Sequence, residues 1–318
     1  MEPRRTDWIA AVFRMIATVG LAFTLAACET TVPATVVLPK PTVAPPPPPP
    51  SADSMAARDY YSRVQANLLG QGMLRTDGGG ADTPFDARLL ARNFEQIAMF
   101  DEYARTPGGL VPRQTASTLR RWTVPVRIGV KFGPSVPPER QATDRARIAS
   151  YLMRLQQVTG HPIALVDHAP NFEIHIVNED ERRALGPAIR ASLPTLGAAD
   201  VAGLTGLPRT NYCIVYALTG GQSGAYVRAF AVVRAEHPDL LRLSCLHEEV
   251  AQGLGLANDS PAARPSIFND DEEFALLTRQ DELMLKMLYD PRLRAGMTLA
   301  QARPIIATLA GELLGGES

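Results

Sequence analysis

No excess of cations runs anywhere through this chain, and that absence removes one class of function at the outset. The 32 Lys and Arg are matched by 33 Asp and Glu across 318 residues, for a formal charge of -1. No basic cluster with interleaved aromatics is present to follow a phosphate backbone, so no nucleic-acid partner is expected. A membrane-spanning run is lacking too: the apolar stretch Met15–Ala27 is too short to cross a bilayer comfortably. Internal repeats are absent, and cysteine is scarce, with three residues, Cys28, Cys213 and Cys245. What is present is a 46% apolar composition, enough for a packed core in one domain of ordinary size with accessory segments.

Residues 1–27 read as a targeting segment, with Arg4, Arg5 and Arg14 ahead of the apolar run and small residues at its end. Leu25-Ala26-Ala27-Cys28 resembles the lipobox of bacterial lipoproteins, which implies cleavage before Cys28 and a lipid on that cysteine. The expectation that follows is a cell-envelope protein, membrane-held through an N-terminal lipid anchor and facing the periplasm. Glu29 after the cysteine favours the outer membrane. Residues 28–50 carry nine prolines, six of them consecutive from Pro45 to Pro50, and so read as a polyproline II tether. With Cys28 lipidated, Cys213 and Cys245 remain as an even pair in an oxidising compartment, where a disulfide is expected; two buried thiols are the alternative.

Beyond the tether, residues 51–117 read as an accessory helical hairpin and 118–318 as the main domain. Tyr60, Tyr61, Val64, Leu68 and Leu69 recur at helical spacing. After Gly78-Gly79-Gly80 a second helix is expected, capped by Thr83 with Pro84 at its first position, carrying Leu90, Phe94 and Ile97 and running to about Arg105. A strand is expected over Arg120–Gly133, a helix from Pro137 to Thr159 closed by Gly160, and strands over Ile163–Asp167 and Phe172–Val177. Tyr212–Leu218 and Ala225–Val233 should form a hairpin, followed by a helix over Pro238–Leu254 and helices near Glu272–Leu288 and Leu299–Leu314. The fold class is therefore α+β.

The helix over 238–254 carries "CLHEEVAQGLGLAND", residues 245–259, which begins like the zinc helix of a metallopeptidase and then lacks its second histidine. An HExxH helix places two imidazoles at i and i+4 with a Glu base between them. Four residues after His247 stands Ala251. At 100° per residue, Leu243, Leu246, Val250 and Leu254 form the core face, with Leu241, Cys245, Glu248, Gln252 and Gly255 roughly opposite. In a frame shifted by one, Gln252-Gly253-Leu254-Gly255-Leu256-Ala257-Asn258 resembles the "HALGLGH" segment of matrixin-type metzincins. Leu277-Thr278-Arg279-Gln280-Asp281 resembles their "LTxxD", and Leu288-Tyr289 their "LY". Ser266-Ile267-Phe268 lies where their Met-turn would be, and the order strand, helix, strands, helix matches. Glu-Glu-x-x-Gln-x-x-Gly-x-x-Asn-Asp, "SIFND" and "LYDPRLRAGM" are similar more closely to an uncharacterised family of bacterial envelope proteins, a domain of unknown function thought to be related to those peptidases.

The resemblance implies a zincin-like mixed sheet with an active-site-type helix over about residues 118–290. Its ligand positions are held by Glu248, Gln252 and Asn258, and the base position by Glu249. Amide oxygens are poor zinc ligands, so no zinc and no cofactor are expected. The expected role is a non-catalytic binding or structural module whose partner is an unknown envelope protein or peptide. His247, Gln252, Asn258 and Asp259 would then form a hydrogen-bonded polar cluster that fixes the helix to the loop after it. One alternative is an atypical metal-dependent hydrolase with Glu249 as general base and Glu248 as its acidic neighbour. Another is a calcium-stabilised adhesion or cell-wall module, with Ca²⁺ or a similar hard cation at Glu248, Gln252 and Asn258. Adjacent residues sit 100° apart on a helix, which makes a shared site for Glu248 and Glu249 awkward. His168 and His175 are further candidate partners of His247, although alternation with Ile174 and Ile176 gives His175 a solvent-facing position. Gly221-Gln222-Ser223-Gly224 reads as a hairpin turn, and Asp270–Glu273 as the acidic start of a helix.

Overall fold

Residues 49–106, 109–221, 223–269 and 271–315 are described by a computed structural model, without side chains for 102–114. The targeting segment, Cys28 and nearly all of the proline tether lie outside the described residues, as does Asp270. In chain order the elements are α1 (Ala52–Gly70), α2 (Ala87–Ala98), β1 (Phe100–Thr106), β2 (Gly109–Ala116), β3 (Arg121–Trp122), β4 (Val126–Phe132), α3 (Pro138–Thr159), β5 (Ile163–Leu165) and β6 (Phe172–Val177). There follow α4 (Glu179–Arg183), α5 (Gly186–Ser192), α6 (Ala198–Thr205), β7 (Cys213–Thr219), β8 (Ala225–Arg234), α7 (Asp239–Leu254), α8 (Arg279–Leu288) and α9 (Leu299–Leu314).

The main sheet runs β3-β8-β6-β4-β5, with every pair along that path parallel, and β7 lies antiparallel on β8. The architecture is α+β with a mostly parallel sheet. Parallel strands need cover on both faces, and both are covered here. Ile174, Ile176, Ala231 and Val233 pack with α2, α3, α7, α8 and α9 on one side, while Val177, Phe230 and Val232 pack with Ile189, Leu193, Val201 and Leu204 of α5 and α6 on the other. This double cover corrects one expectation: His175 points into the second layer, buried against the Phe230 ring, with centroids 4.3 Å apart. Alternation along a strand reports which face a residue takes; whether that face is wet depends on the helices laid over it.

Several element boundaries follow the chain's own punctuation. Gly160 closes α3 at φ 65°, and α8 and α9 each open on a reciprocal capping box, Thr278 with Asp281 and Thr298 with Gln301. Other expectations need revision. Asp86, not Thr83, caps α2, its carboxylate accepting from the Leu89 amide at 2.7 Å, whereas Thr83 pins the glycine loop by bonding Gly80. Helix does not continue to Arg105: α2 ends at Ala98 and an antiparallel hairpin, β1 and β2, follows. The strand expected over Arg120–Gly133 is split at Pro125 into β3, which pairs with β8, and β4, which pairs with β5 and β6. The acidic run does not start a helix. Glu273 pairs with Arg264 and Arg75, and α8 begins six residues later. The two helices ahead of the sheet are present, each packing on other elements: α1 on α4 and α7, α2 on α8 and α9.

Helix α7 lies deeper than a helix with one core face. Leu241, Cys245, Leu246, Val250, Ala251 and Leu254 are all buried, so the side read as opposite the core is covered too, and Leu243 is only half-buried. Its last turn touches the sheet closely. A Cβ on Gly253 would stand 2.5 Å from the Phe172 ring, and one on Gly255 (φ 132°) would stand 2.3 Å from the Arg120 carbonyl oxygen. Trp122 donates its indole N–H to the Gly253 carbonyl (2.8 Å), and the Tyr289 hydroxyl donates to that of Leu254 (3.0 Å), satisfying carbonyls that the helix end would leave orphaned. Gly255→Ala is expected to destabilise the protein by about 1–3 kcal/mol in urea unfolding, because backbone meets backbone at a positive φ. Gly311→Ala in α9, where a Cβ meets open space, should be neutral or stabilising by up to about 1 kcal/mol.

Candidate functional site

His247 faces away from any open cleft. Its ring stacks on Tyr151 of α3 with centroids 3.9 Å apart and an 11° interplanar angle, Nδ1 accepts from the Leu277 amide (3.2 Å), and the Tyr151 hydroxyl donates to the His247 carbonyl (2.8 Å). Burial, with a smaller contribution from Arg154, lowers its pKa to about 3. The imidazole is neutral and serves as packing.

Gln252 and Asn258 are committed to different neighbours. Gln252 donates through Nε2 to Asp259 Oδ1 (3.1 Å), tying α7 to the loop that follows it. Asn258, 1% exposed, donates through Nδ2 to the Gln96 carbonyl (2.8 Å), while its backbone amide donates to Ile97 (3.1 Å), so it fastens that loop to the end of α2. Glu248 is half-buried and Glu249 buried. A carboxylate oxygen of each lies with the Cys213 sulfur in a group no wider than 4.8 Å. Long side chains thus bring the two carboxylates together despite their 100° separation on the helix. The sulfur is no thiolate: Cys213 is disulfide-bonded to Cys245, with Cα atoms 5.9 Å apart, linking β7 to α7. Two carboxylates therefore remain as donors, short of the six to eight oxygens of a calcium site and lacking the nitrogen or sulfur of a zinc site.

The residues that resemble a Met-turn and its closing helix have a clear structural job. Asp281, fully buried, accepts from Ser266 Oγ (2.6 Å), the Ile267 amide (3.1 Å) and both the amide and hydroxyl of Thr278 (2.8 Å each). Burial raises its pKa to about 6 despite these bonds. Phe268 fills core beneath α7. His168 is exposed in the loop after β5 and His175 lies in the α5–α6 layer, its Nε2 3.2 Å from Glu173 Oε2; neither joins His247.

A second polar assembly, unanticipated from the sequence, sits beyond the carboxyl ends of β6 and β8. Glu179 bonds Arg182 (2.9 Å) and Arg234 (2.6 Å), and Arg242 bonds Asp144 (2.8 Å), all buried. Glu236 accepts from Ser54 Oγ (2.6 Å) and the Glu179 amide (2.7 Å). His237 is 1% exposed, and neither ring nitrogen meets a hydrogen-bond partner. The signal available in the sequence was the run Arg234-Ala235-Glu236-His237 directly after the apolar Ala229–Val233, which places charge where burial is expected.

A family model described as "Protein of unknown function (DUF2927)" matches residues 87–308. No curated protein and no solved structure matches the chain.

His247 gives this region an acid response of definite sign. The unfolded imidazole titrates near its ordinary value and the folded one near 3, so its stabilisation is complete above about pH 6.5 and is lost as pH falls toward 3. Asp281 runs the other way, its contribution being complete below its ordinary carboxyl value and lost as pH rises through about 6. His247→Phe should therefore reduce the dependence of unfolding free energy on pH by up to about 1.4 kcal/mol per unit between pH 6.5 and 4, relative to wild type. Chemical unfolding across that range checks it.

Proposed function

The chain belongs to the DUF2927 family, whose function is unknown, and from that premise we propose that it is a lipid-anchored envelope protein. Its domain is zincin-like in build and acts as a non-catalytic binding or structural module. The order β4, α3, β5, β6, β7, β8, α7, with the short helices α4 to α6 inserted between β6 and β7, supports the build, since it keeps the strand, helix, strands, helix sequence of those peptidases. One observation carries the loss of chemistry. The three positions where imidazoles would converge on zinc hold side chains that diverge, with Gln252 turned to Asp259, Asn258 to the Gln96 carbonyl, and Glu248 toward the disulfide. Two of the three are spent on holding the fold. The residues do not fit zinc, and no hydrolytic step is derived through it.

Support for the anchor comes from Leu25-Ala26-Ala27-Cys28 and the proline-rich stretch that follows. The partner on this reading is an envelope protein or peptide. A hard cation held between Glu248 and Glu249 is a second reading, favoured by the closeness of their carboxylates.

Protein purified without chelator should contain far less than one equivalent of zinc by elemental analysis, and Glu249→Ala should leave cleavage of a peptide library at the background of wild type. Stoichiometric zinc with proteolysis that a chelator abolishes would overturn the module. Saturable Ca²⁺ binding that Glu248→Gln abolishes would establish the cation reading instead. For the anchor, Cys28→Ala should move the protein from the membrane fraction to the soluble one and abolish incorporation of radiolabelled palmitate.

A further inference from the structure

Helix α1 stands apart from the rest of the domain in how it is held. It precedes the residues matched by the family, 87–308, and only Ser54, Ala57 and Tyr61 of its 19 residues are buried, while Met55 and Leu69 stay exposed. Its apolar contact is a small separate cluster, Ala57 and Tyr61 against Leu241 with Tyr60, Val64 and Tyr212 packed alongside. Polar contacts do the rest. Asp53 pairs with Arg183 (2.8 Å), Ser54 bonds Glu236, the Ser51 amide donates to Asp180 (3.2 Å), and the Tyr61 hydroxyl donates to the Arg209 carbonyl (3.0 Å). Gln65 Oε1 accepts from the Leu240 and Leu241 amides (3.1 and 3.0 Å), capping α7, whose own N-cap Pro238 supplies no side-chain bond. A helix held this way can leave without opening the main core.

What α1 covers is also unusual. The crevice at the carboxyl ends of parallel strands is where open α/β sheets receive ligands, and here α1 fills it. Beneath it His237 packs edge-on to Tyr61 (4.4 Å) and Tyr212 (6.3 Å). The groups around it are Tyr60, Tyr61 and Asp53 from α1, Arg234 and Glu236 after β8, and Glu179, Arg182 and Arg183 from α4. Arg242 and Asp239 from α7, Asp144 and Arg140 from α3, and Arg209 before β7 complete the shell. Each carboxylate of the shell has one partner already: Glu179 two arginines, Asp144 Arg242, Asp53 Arg183, Asp239 Arg140, and Glu236 Ser54 and a backbone amide, with Glu236 Oε2 and Asp144 Oδ1 left over. Neither His237 ring nitrogen reaches any of them, so an imidazolium there would be buried beside Arg234 and Arg242 without a hydrogen-bonded counter-ion, which is severely unfavourable.

We propose that α1 is a strap closed over the carboxyl ends of β6 and β8, and that uptake of a proton by His237 releases it. Lifting α1 takes Tyr61 off the ring and lets water reach it, so the open form accepts the proton that the closed form refuses. Burial and the two guanidinium groups push the closed-state pKa well below the ordinary range. The closed form is therefore fully favoured above about pH 6.5 and weakens as pH falls. With an ordinary imidazole in the open form, the closing equilibrium drops roughly 30-fold between pH 7.5 and pH 5.0.

Hydrogen–deuterium exchange of the full chain in detergent, with rates normalised to intrinsic exchange at each pH, tests this directly. Protection of α1 amides should fall about 30-fold from pH 7.5 to 5.0 and stay well below that of β8 and of α7 beyond its first turn at both pH values, and His237→Phe should hold α1 closed at both. His237→Gln is read in the same way if the Phe variant does not fold. A fall of less than about threefold in wild type, α1 protection no lower than that of β8 and α7, or an undiminished fall in the folded variant would each overturn the strap.

Discussion

Everything near the candidate site depends on how closely α7 is pressed against the sheet. Two glycines, 253 and 255, allow that contact, one flush with the Phe172 ring and the other with the Arg120 carbonyl. With no room for a side chain there, the helix has one possible depth. The bonds from Trp122 and Tyr289 to its last carbonyls then fix its end. Once α7 is set, its surroundings follow: Cys245 meets β7, His247 meets α3, and the chain leaving Gly255 reaches the end of α2 through Asn258.

This constraint gives a physical meaning to the peptidase-like sequence pattern. The segments that carry the resemblance support the helix. Leu277 lends its amide to His247, Thr278 and Asp281 cap α8 while gripping Ser266 and Ile267, and Tyr289 caps α7. Such a frame holds α7 whatever the helix carries, since buried hydrogen bonds are costly to abandon. Gln252 and Asn258 belong to it, each spending its polar reach on a neighbouring segment.

Much of the fold was legible because local chemistry and global packing agree. Gly160 and the turn glycines Gly221 and Gly224 mark their elements unaided, and the pairing of Cys213 with Cys245 followed from counting. The errors share a cause. His175 was given to water by a pattern that describes one element at a time, and such patterns gave no sign that the far side of α7 or the charges at the end of β8 are buried. A layer added from distant sequence, α5 and α6 in one case and α1 in another, buried them. The helices α4 to α6 are short and rich in Ala, Gly and Pro, so periodicity had little to act upon. At the site, residue types stand at legible spacing, but where an amide points depends on which partner lies within reach, and that is a property of the assembled fold.

The disulfide between Cys213 and Cys245 lies beside the carboxylates of Glu248 and Glu249. Reduction requires a thiolate to approach one sulfur while another leaves as an anion. Both events take place within 4.8 Å of two carboxyl groups. A thiolate that comes for this bond has to share its approach with them, so the staple between edge strand and central helix carries a polar guard of its own.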